Sequence, residues 1–302
     1  MLRTERVPVT LYTSEDPSAP KLANAAGAFK TILKACLLTG YGAKAAAGWE
    51  AAFEGNNKIA LRPADPKSPR GLIRIDNGTA GIAYIQAYTA MSGIDSGEAV
   101  FNQTQNLHLT DYSYQTRKWW LIACPRGFAF FAEGRGGGCR YLYFGDFPTL
   151  SAGDNGNMVC IGSFGQSYGQ NIVPRGFYSR GGSAYTFAAL LKSYDGLRKG
   201  AGANLQTAAF SLYSANETPQ EYPSPVSGGF SAFPVYIMEY ANSLTMPRGL
   251  LPGISAVAER MSAVPVGTRF DQLAGENFIC MDFGDGNQRD TAVLVNTSYW
   301  EI

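Results

Sequence analysis

The stretch WWLIACPRGFAFFA, residues 119–132, decides the fold class. Two apolar runs, Trp119–Cys124 and Phe128–Ala132, flank Pro125-Arg126-Gly127, a turn signal in which proline presets one backbone angle and glycine frees another. Both alternations of each run are apolar, so neither face of either strand is suited to water. The hairpin therefore belongs at the centre of a sheet that is covered on one side by a helix or second sheet and on the other by more of the chain. Arg140–Phe144 and Met158–Gly162 continue the same pattern.

Towards the N-terminus, Val7–Tyr12 (VPVTLY) alternates as a strand and stops at the Ser/Asp/Pro cluster of residues 14–20. An amphipathic helix follows. With Asn24 as its expected N-cap, Phe29, Ile32, Leu33, Cys36 and Leu37 fall on one face, Lys30 and Lys34 point outward, and Gly40 and Gly42 end the run. A meander comes next: Ala51–Phe53, Lys58–Arg62, Leu72–Asp76 and Gly81–Thr89, with turns at Gly55-Asn56-Asn57 and Asn77-Gly78.

Towards the C-terminus, residues 164–183 read as a Gly/Ser/Tyr loop too long for a simple connection, and Asn216–Gly229 as a second polar loop. Between and after them the pattern predicts a short helix over Tyr185–Tyr194 and strands at Thr207–Tyr213 and Phe230–Glu239, the last weakened by Pro234. A closing hairpin pairs Phe278–Phe283 with Thr291–Val295. The expected class is α+β, mostly β: an antiparallel sheet or sandwich framework with one N-terminal amphipathic helix and long loop insertions. Residues 1–302 form one β-rich domain in this reading, with 1–163 and 184–302 as the alternative subdivision. Long loops of this kind are functional or interfacial, which makes Gly165, Tyr168, Phe177, Tyr178 and Tyr222 the candidate contact residues.

Composition removes several classes of function. His108 is the only histidine, so a two-His metal site and the HExxH helix of metalloproteases are excluded. A net charge of +1 gives no cationic surplus for nucleic acid. Charged residues make up 16% of the chain, which leaves little electrostatic protection against self-association and suggests that much surface is subunit interface. The five cysteines show no CxxC pair and sit in apolar runs, as buried thiols do. The polar start MLRTERVPVT and the lack of an 18-residue apolar stretch lead us to expect neither a signal peptide nor a membrane span.

Motifs that could carry chemistry fail on context. Gly165-Gln-Ser-Tyr-Gly169 fits GxSxG, but Pro174 and Gly176 bar the helix a nucleophile elbow needs, and His108 precedes the serine. Glu133–Cys139 (EGRGGGC) lacks the Gly-Lys-Ser/Thr of a P-loop and reads as a hairpin tip. Asp282-Phe283-Gly284 lacks the other kinase segments, and its continuation is a turn rather than a calcium loop. Glu133, Asp146 and Asp154 are carboxylates near glycine loops, and a glycosidase would need two of them at a set separation.

Several segments carry a resemblance. Val9–Tyr12, the helix GAFKTILKACLLTGYG (residues 27–42) and Ala47-Gly48-Trp49 through Asn57-Lys58 are similar to the opening of a family of virion proteins from tailed bacteriophages. Tyr143-Phe-Gly-Asp-Phe147, Arg248-Gly-Leu-Leu-Pro-Gly253 and Thr297-Ser-Tyr-Trp300 resemble later segments of that family, while Phe29, Lys30 and Lys34 depart from its helix pattern. The resemblance implies a non-enzymatic structural component of the particle, in the tail or baseplate, with neck or head decoration as other locations. It would act in the virion as a homo-oligomer joined to other tail or neck proteins, with no cofactor, metal or catalytic residue. A receptor- or glycan-binding tail protein and a cytoplasmic enzyme are the competing readings.

Overall fold

The computed structural model describes residues 4–109, 116–134, 139–151, 153–154, 156–165, 187–207, 220–241, 244–282 and 292–302. From the N-terminus, β1 (Arg6–Pro8), β2 (Thr10–Thr13) and β3 (Leu22–Ala23) precede helix α1 (Ala28–Lys34), which continues into a π-helical turn, Ala35–Thr39. The meander is β4 (Trp49–Glu54), β5 (Lys58–Pro63), β6 (Leu72–Thr79) and β7 (Ile82–Gly93), with β8 (Ser96–Ala99) and β9 (Gln105–His108) both returning along β7. After β10 (Thr116–Arg117) come β11 (Trp119–Cys124), β12 (Gly127–Glu133), β13 (Cys139–Asp146), β14 (Met158–Gly162) and β15 (Phe164–Gly165). Four further strands are β16 (Phe187–Lys192), β17 (Lys199–Thr207), β18 (Ala232–Ala241) and β19 (Leu244–Val257). The chain closes with β20 (Arg269–Leu273), β21 (Glu276–Asp282), β22 (Ala292–Asn296) and β23 (Tyr299–Glu301).

All strand pairs in the two main sheets are antiparallel, so the class is mostly β, as the sequence implied. The large sheet has 12 strands in the order β2-β11-β12-β13-β14-β16-β17-β18-β19-β22-β21-β20. It draws strands from both sides of residues 164–183. The hairpin that opened the sequence reading pairs Trp119 with Ala132 and Cys124 with Gly127, well inside the sheet. The smaller sheet runs β15-β9-β7-β6-β5-β4, with β8 beside β7.

One face of the large sheet packs under the helix and the smaller sheet. Phe29, Ile32, Leu33, Cys36 and Leu37 of the helix share a core with Ile59, Ile73 and Ile85 from the smaller sheet and Leu121, Phe128, Phe130 and Phe144 from the large one. The other face packs on itself. Ile122, Phe131, Tyr141 and Val159 from the first half of the sheet enter one cluster with Val235, Ile254, Met281 and Val293 from the second half, so the sheet curls. Cys139, where β13 starts, accordingly lies in the field of Asp282 and Cys280 on β21. A smaller cluster, with Val257, Met261, Cys280 and Leu294, covers the outer side of the C-terminal strands.

Several local expectations are corrected. The helix begins at Ala28 after Gly27, not at an Asn24 cap. Its N-terminus is capped from another strand: Asn77 Oδ1 accepts the Phe29 N–H at 2.9 Å, and the Asn77 carbonyl accepts the Gly27 N–H at 2.8 Å. Asn77 is itself held by donating to the carbonyls of Thr79 and Ile82, at 3.2 and 2.8 Å. Asn77-Gly78 is thus a bulge within β6, and the turn falls later, at Ala80-Gly81, where Gly81 has φ 71°. Lys30 is buried rather than solvated, its ammonium reaching Glu54 and the carbonyls of Gly55 and Asn56.

Residues 187–192 are a strand rather than a helix. Ala189 and Leu191 face one core and Ala188 and Leu190 the other, a two-faced apolar run that periodicity alone does not separate from a buried helix. The strand expected at Thr207–Tyr213 ends where it was to begin, because β17 occupies Lys199–Thr207; residues 208–213 lie outside the described residues. Pro234 sits at a register shift in β18, where a residue without an N–H is tolerated.

Replacing Asn77 by Ala leaves the Phe29 N–H and the carbonyls of Thr79 and Ile82 short of a partner, while the backbone bond to Gly27 survives. We expect a loss of about 1–3 kcal/mol, measured as a lower urea midpoint with unchanged slope.

Candidate functional site

Segments far apart in sequence meet on the β12–β13 hairpin. From one face, Trp49 sets its ring against Phe128 at 5.3 Å and Phe144 at 6.1 Å, and its indole N–H donates to the Cys124 carbonyl at 2.9 Å. From the other face, Trp300 packs against Tyr143 with ring centroids 6.0 Å apart and donates to the Asn296 carbonyl at 3.0 Å. Trp300 arrives on β23, which pairs with β1, and it is fully buried. Its ring needs Gly253, in left-handed backbone with φ 64°, because an added Cβ there would lie 2.0 Å from the indole.

Two arginines enter this interior with their counter-ions. Arg126 donates to Asp146 Oδ2 at 2.9 Å, and the Ser68 hydroxyl donates to Asp146 Oδ1 at 2.7 Å. Burial lifts the Asp146 carboxyl from its ordinary value to about 6, with Ser68 and Arg126 offsetting only part of that effect. Arg248 is bidentate to Asp154, at 2.7 and 2.8 Å, and also binds Glu239; all three side chains are at most 1% exposed. Glu239 in turn accepts the Tyr194 N–H at 2.9 Å.

That second cluster is the floor of an exposed surface. Leu150 donates its N–H to the Arg248 carbonyl, and the Ser151 and Tyr194 hydroxyls lie 3.5 Å apart. The turn from Ser193 to Arg198 is fixed by its own bonds: Ser193 N–H to the Arg198 carbonyl at 2.9 Å, Arg198 N–H to the Ser193 hydroxyl at 3.0 Å, and Leu197 N–H to Asp195 Oδ1 at 3.0 Å. Leu150, Tyr194 and Leu197 stand exposed on it, Leu197 at 84%.

Of the contact residues expected from sequence, Gly165 ends β15, opposite Asn106 of β9. Tyr168, Phe177 and Tyr178 lie outside the described residues. Tyr222 is half-buried; its ring packs on Phe230 at 5.9 Å and its N–H donates to the Arg260 carbonyl at 2.9 Å. The Tyr222–Pro223 bond is cis. Within this loop Ser224 organises the backbone, its N–H bonding the Gly229 carbonyl and its carbonyl the Gly228 N–H, both at 2.8 Å. The large apolar side chain left in solvent there is Val226, 86% exposed.

The carboxylates weighed for catalysis are not brought together as an acid–base pair. Asp146 and Asp154 each serve a different buried arginine, and Glu133 ends β12 opposite Cys139. The Glu133–Cys139 pairing also makes EGRGGGC the connection of a hairpin, although residues 135–138 lie outside the described residues, as do residues 166–169 of GxSxG and 283–291 after Asp282. His108 ends β9 opposite Ile82. All five cysteines are buried free thiols; burial raises each of their pKa values, Cys124 to about 11 and Cys280 to about 12, which suppresses thiolate chemistry. Among the described residues no group of three His, Cys, Asp or Glu could hold a metal, and no helix is long and apolar enough to cross a membrane. An open groove of about 410 Å³ beside α1 is lined by Gly27, Lys30, Lys34 and Glu54, whose charges are already paired with one another.

Compared with protein-family models and with curated proteins, the sequence matches none.

Two predictions follow from the buried charges. The folded state holds the Asp146 proton more tightly than the unfolded chain, whose pKa is near 3.8, so this group's stabilisation is full below that value and is lost as pH rises through about 6. Chemical denaturation should show roughly 1–3 kcal/mol more stability at the acidic end of that window than at neutral pH from this group, and Asp146→Asn should abolish that component. Arg248→Met strands two buried carboxylates and should cost about 3–5 kcal/mol; combining it with Asp154→Asn and Glu239→Gln should recover most of that loss in the same measurement.

Proposed function

We propose that this chain is a non-enzymatic structural component of a tailed-bacteriophage particle, in the tail or baseplate, that acts by assembling with itself and with other virion proteins. The observation that carries this reading is the convergence of the resembling segments. Trp49 of the AGW segment, Tyr143 and Phe144 of YFGDF, Gly253 of RGLLPG and Trp300 of the closing segment all meet on the two faces of one hairpin. A structural role also suits the fate of the charges, since Asp146, Asp154, Glu239, Arg126 and Arg248 are all spent inside the fold. Exposed large apolar side chains are held instead on rigid turns, as an assembling surface requires.

The test is location. Mass spectrometry of purified particles, with antibody labelling in electron microscopy, should find the chain at a fixed copy number in the tail or baseplate. Recovery of the chain from infected-cell extract with none in purified particles would overturn the reading.

A further inference from the structure

We propose that copies of this chain associate head to tail, the turn 193–198 of one copy meeting the loop 220–229 of the next. This rests on the reading of the chain as an assembling structural protein and names the contact it uses.

Five large apolar side chains are exposed among the described residues: Leu150, Tyr194, Leu197, Val226 and Tyr240. They are not scattered. Three form one group, Leu150, Tyr194 and Leu197 above the Arg248 cluster, whose Glu239 carboxylate holds the Tyr194 N–H, whereas Tyr240, the next residue on β18, projects from the opposite face of that strand. The turn carrying Tyr194 and Leu197 leads directly into β17, and its anchor Glu239 lies near the end of β18. Val226 lies on the loop that leads into the start of β18, where Ser231 binds Glu259 and Ala258. The two sets are therefore at opposite ends of a ten-residue strand, roughly 30 Å apart.

The ends also differ in charge. Lys192, Arg198 and Lys199 outnumber Asp195 around the first, whereas the second carries one carboxylate, Glu221, beside one cation, Arg260. Glu221 is 56% exposed, with Arg260 at 3.7 Å and the Ser262 hydroxyl donating to it at 3.4 Å. Two copies facing each other through the Leu197 end would set cation against cation. A head-to-tail contact instead sets Lys192, Arg198 and Lys199 against Glu221 and buries Leu197 against Val226. Both elements are already fixed by internal hydrogen bonds around Ser193 and Ser224, so association loses little conformational entropy. A contact between two different patches repeats, closing into a ring or continuing as a stack.

The test uses full-length protein with Leu197→Glu or Val226→Glu, followed by sedimentation velocity and native mass spectrometry. Both sites are more than four-fifths exposed, so melting curves should match the wild type. Wild-type protein should form rings or longer assemblies, and each variant alone should associate at least about tenfold more weakly. Mixed, the two variants should form a one-to-one dimer and stop, because only one intact pair of patches remains. A wild type that stays monomeric, variants that assemble like the wild type, or Val226→Glu dimerising alone would overturn the contact. Variants that assemble normally from a chain found in particles would overturn the contact and leave the proposed function standing. A one-to-one dimer from a chain absent from particles would do the reverse.

Discussion

A sheet that is apolar on both faces must be covered twice, and the rest of this structure answers that constraint. From β11 to β16 nearly every side chain is buried: Leu121, Phe128 and Phe144 on one face, Ile122, Phe131 and Tyr143 on the other. Each such side chain contributes about 1.5–3 kcal/mol when taken out of water. The helix and smaller sheet cover the first face. Among the described residues no comparable second layer covers the other, and the large sheet curls until strands β18, β19, β21 and β22 lie over β11 to β14. Trp300 then enters at one end of the curl on a strand tied to the N-terminus.

Covering both faces leaves little room for charge. Long strands and their connections still carry arginines and carboxylates inward, and each is tolerable only with its partner and hydrogen bonds in place. Arg126 with Asp146 and Ser68, and Arg248 with Asp154 and Glu239, are two instances. They differ in consequence. The first joins the smaller sheet's connection at Ser68 to the central hairpin, and its carboxyl is lifted into a range where pH matters. The second spans residues 94 positions apart and sets the height of the Tyr194 turn above it.

The central hairpin, the meander and the helix stripe were legible because each depends on neighbouring residues. WWLIAC and FAFFA can be read without knowing what covers them, and Phe29, Ile32, Leu33, Cys36 and Leu37 share a face whatever the fold. What failed depends on distant residues. No local pattern shows that Asn77 caps a helix 48 residues earlier, or that Gly55 and Asn56 carbonyls receive Lys30. β17 was hidden by its glycines, one of which, Gly200, is needed because an added Cβ would lie 2.3 Å from the Val100 carbonyl oxygen. At the candidate contact surface Tyr222 was visible as an aromatic in a loop, yet its ring anchors that loop to Phe230. The exposed turn had a usable signal, Asp195-Gly196, which the helical reading of Tyr185–Tyr194 obscured.

The same constraint explains where the protein can meet others. Apolar side chains that point into either core are used up, and among the described residues Tyr240 is the one large apolar side chain that a strand leaves exposed. Contact must come from turns at strand ends, where a hairpin has to reverse and its side chains need not face inward. Such turns are useful only if rigid, because a mobile Leu or Val loses on ordering much of what it gains on burial. Leu197 and Val226 both occupy turns fixed by a buried serine, Ser193 at 1% and Ser224 at 5% exposure. A serine at that position bonds the backbone of its own turn and leaves the apolar residue beyond it free to face outward. The interior thus sets the two exposed turns toward opposite ends of β18, and the proposed contact would take its geometry from the strand that joins them.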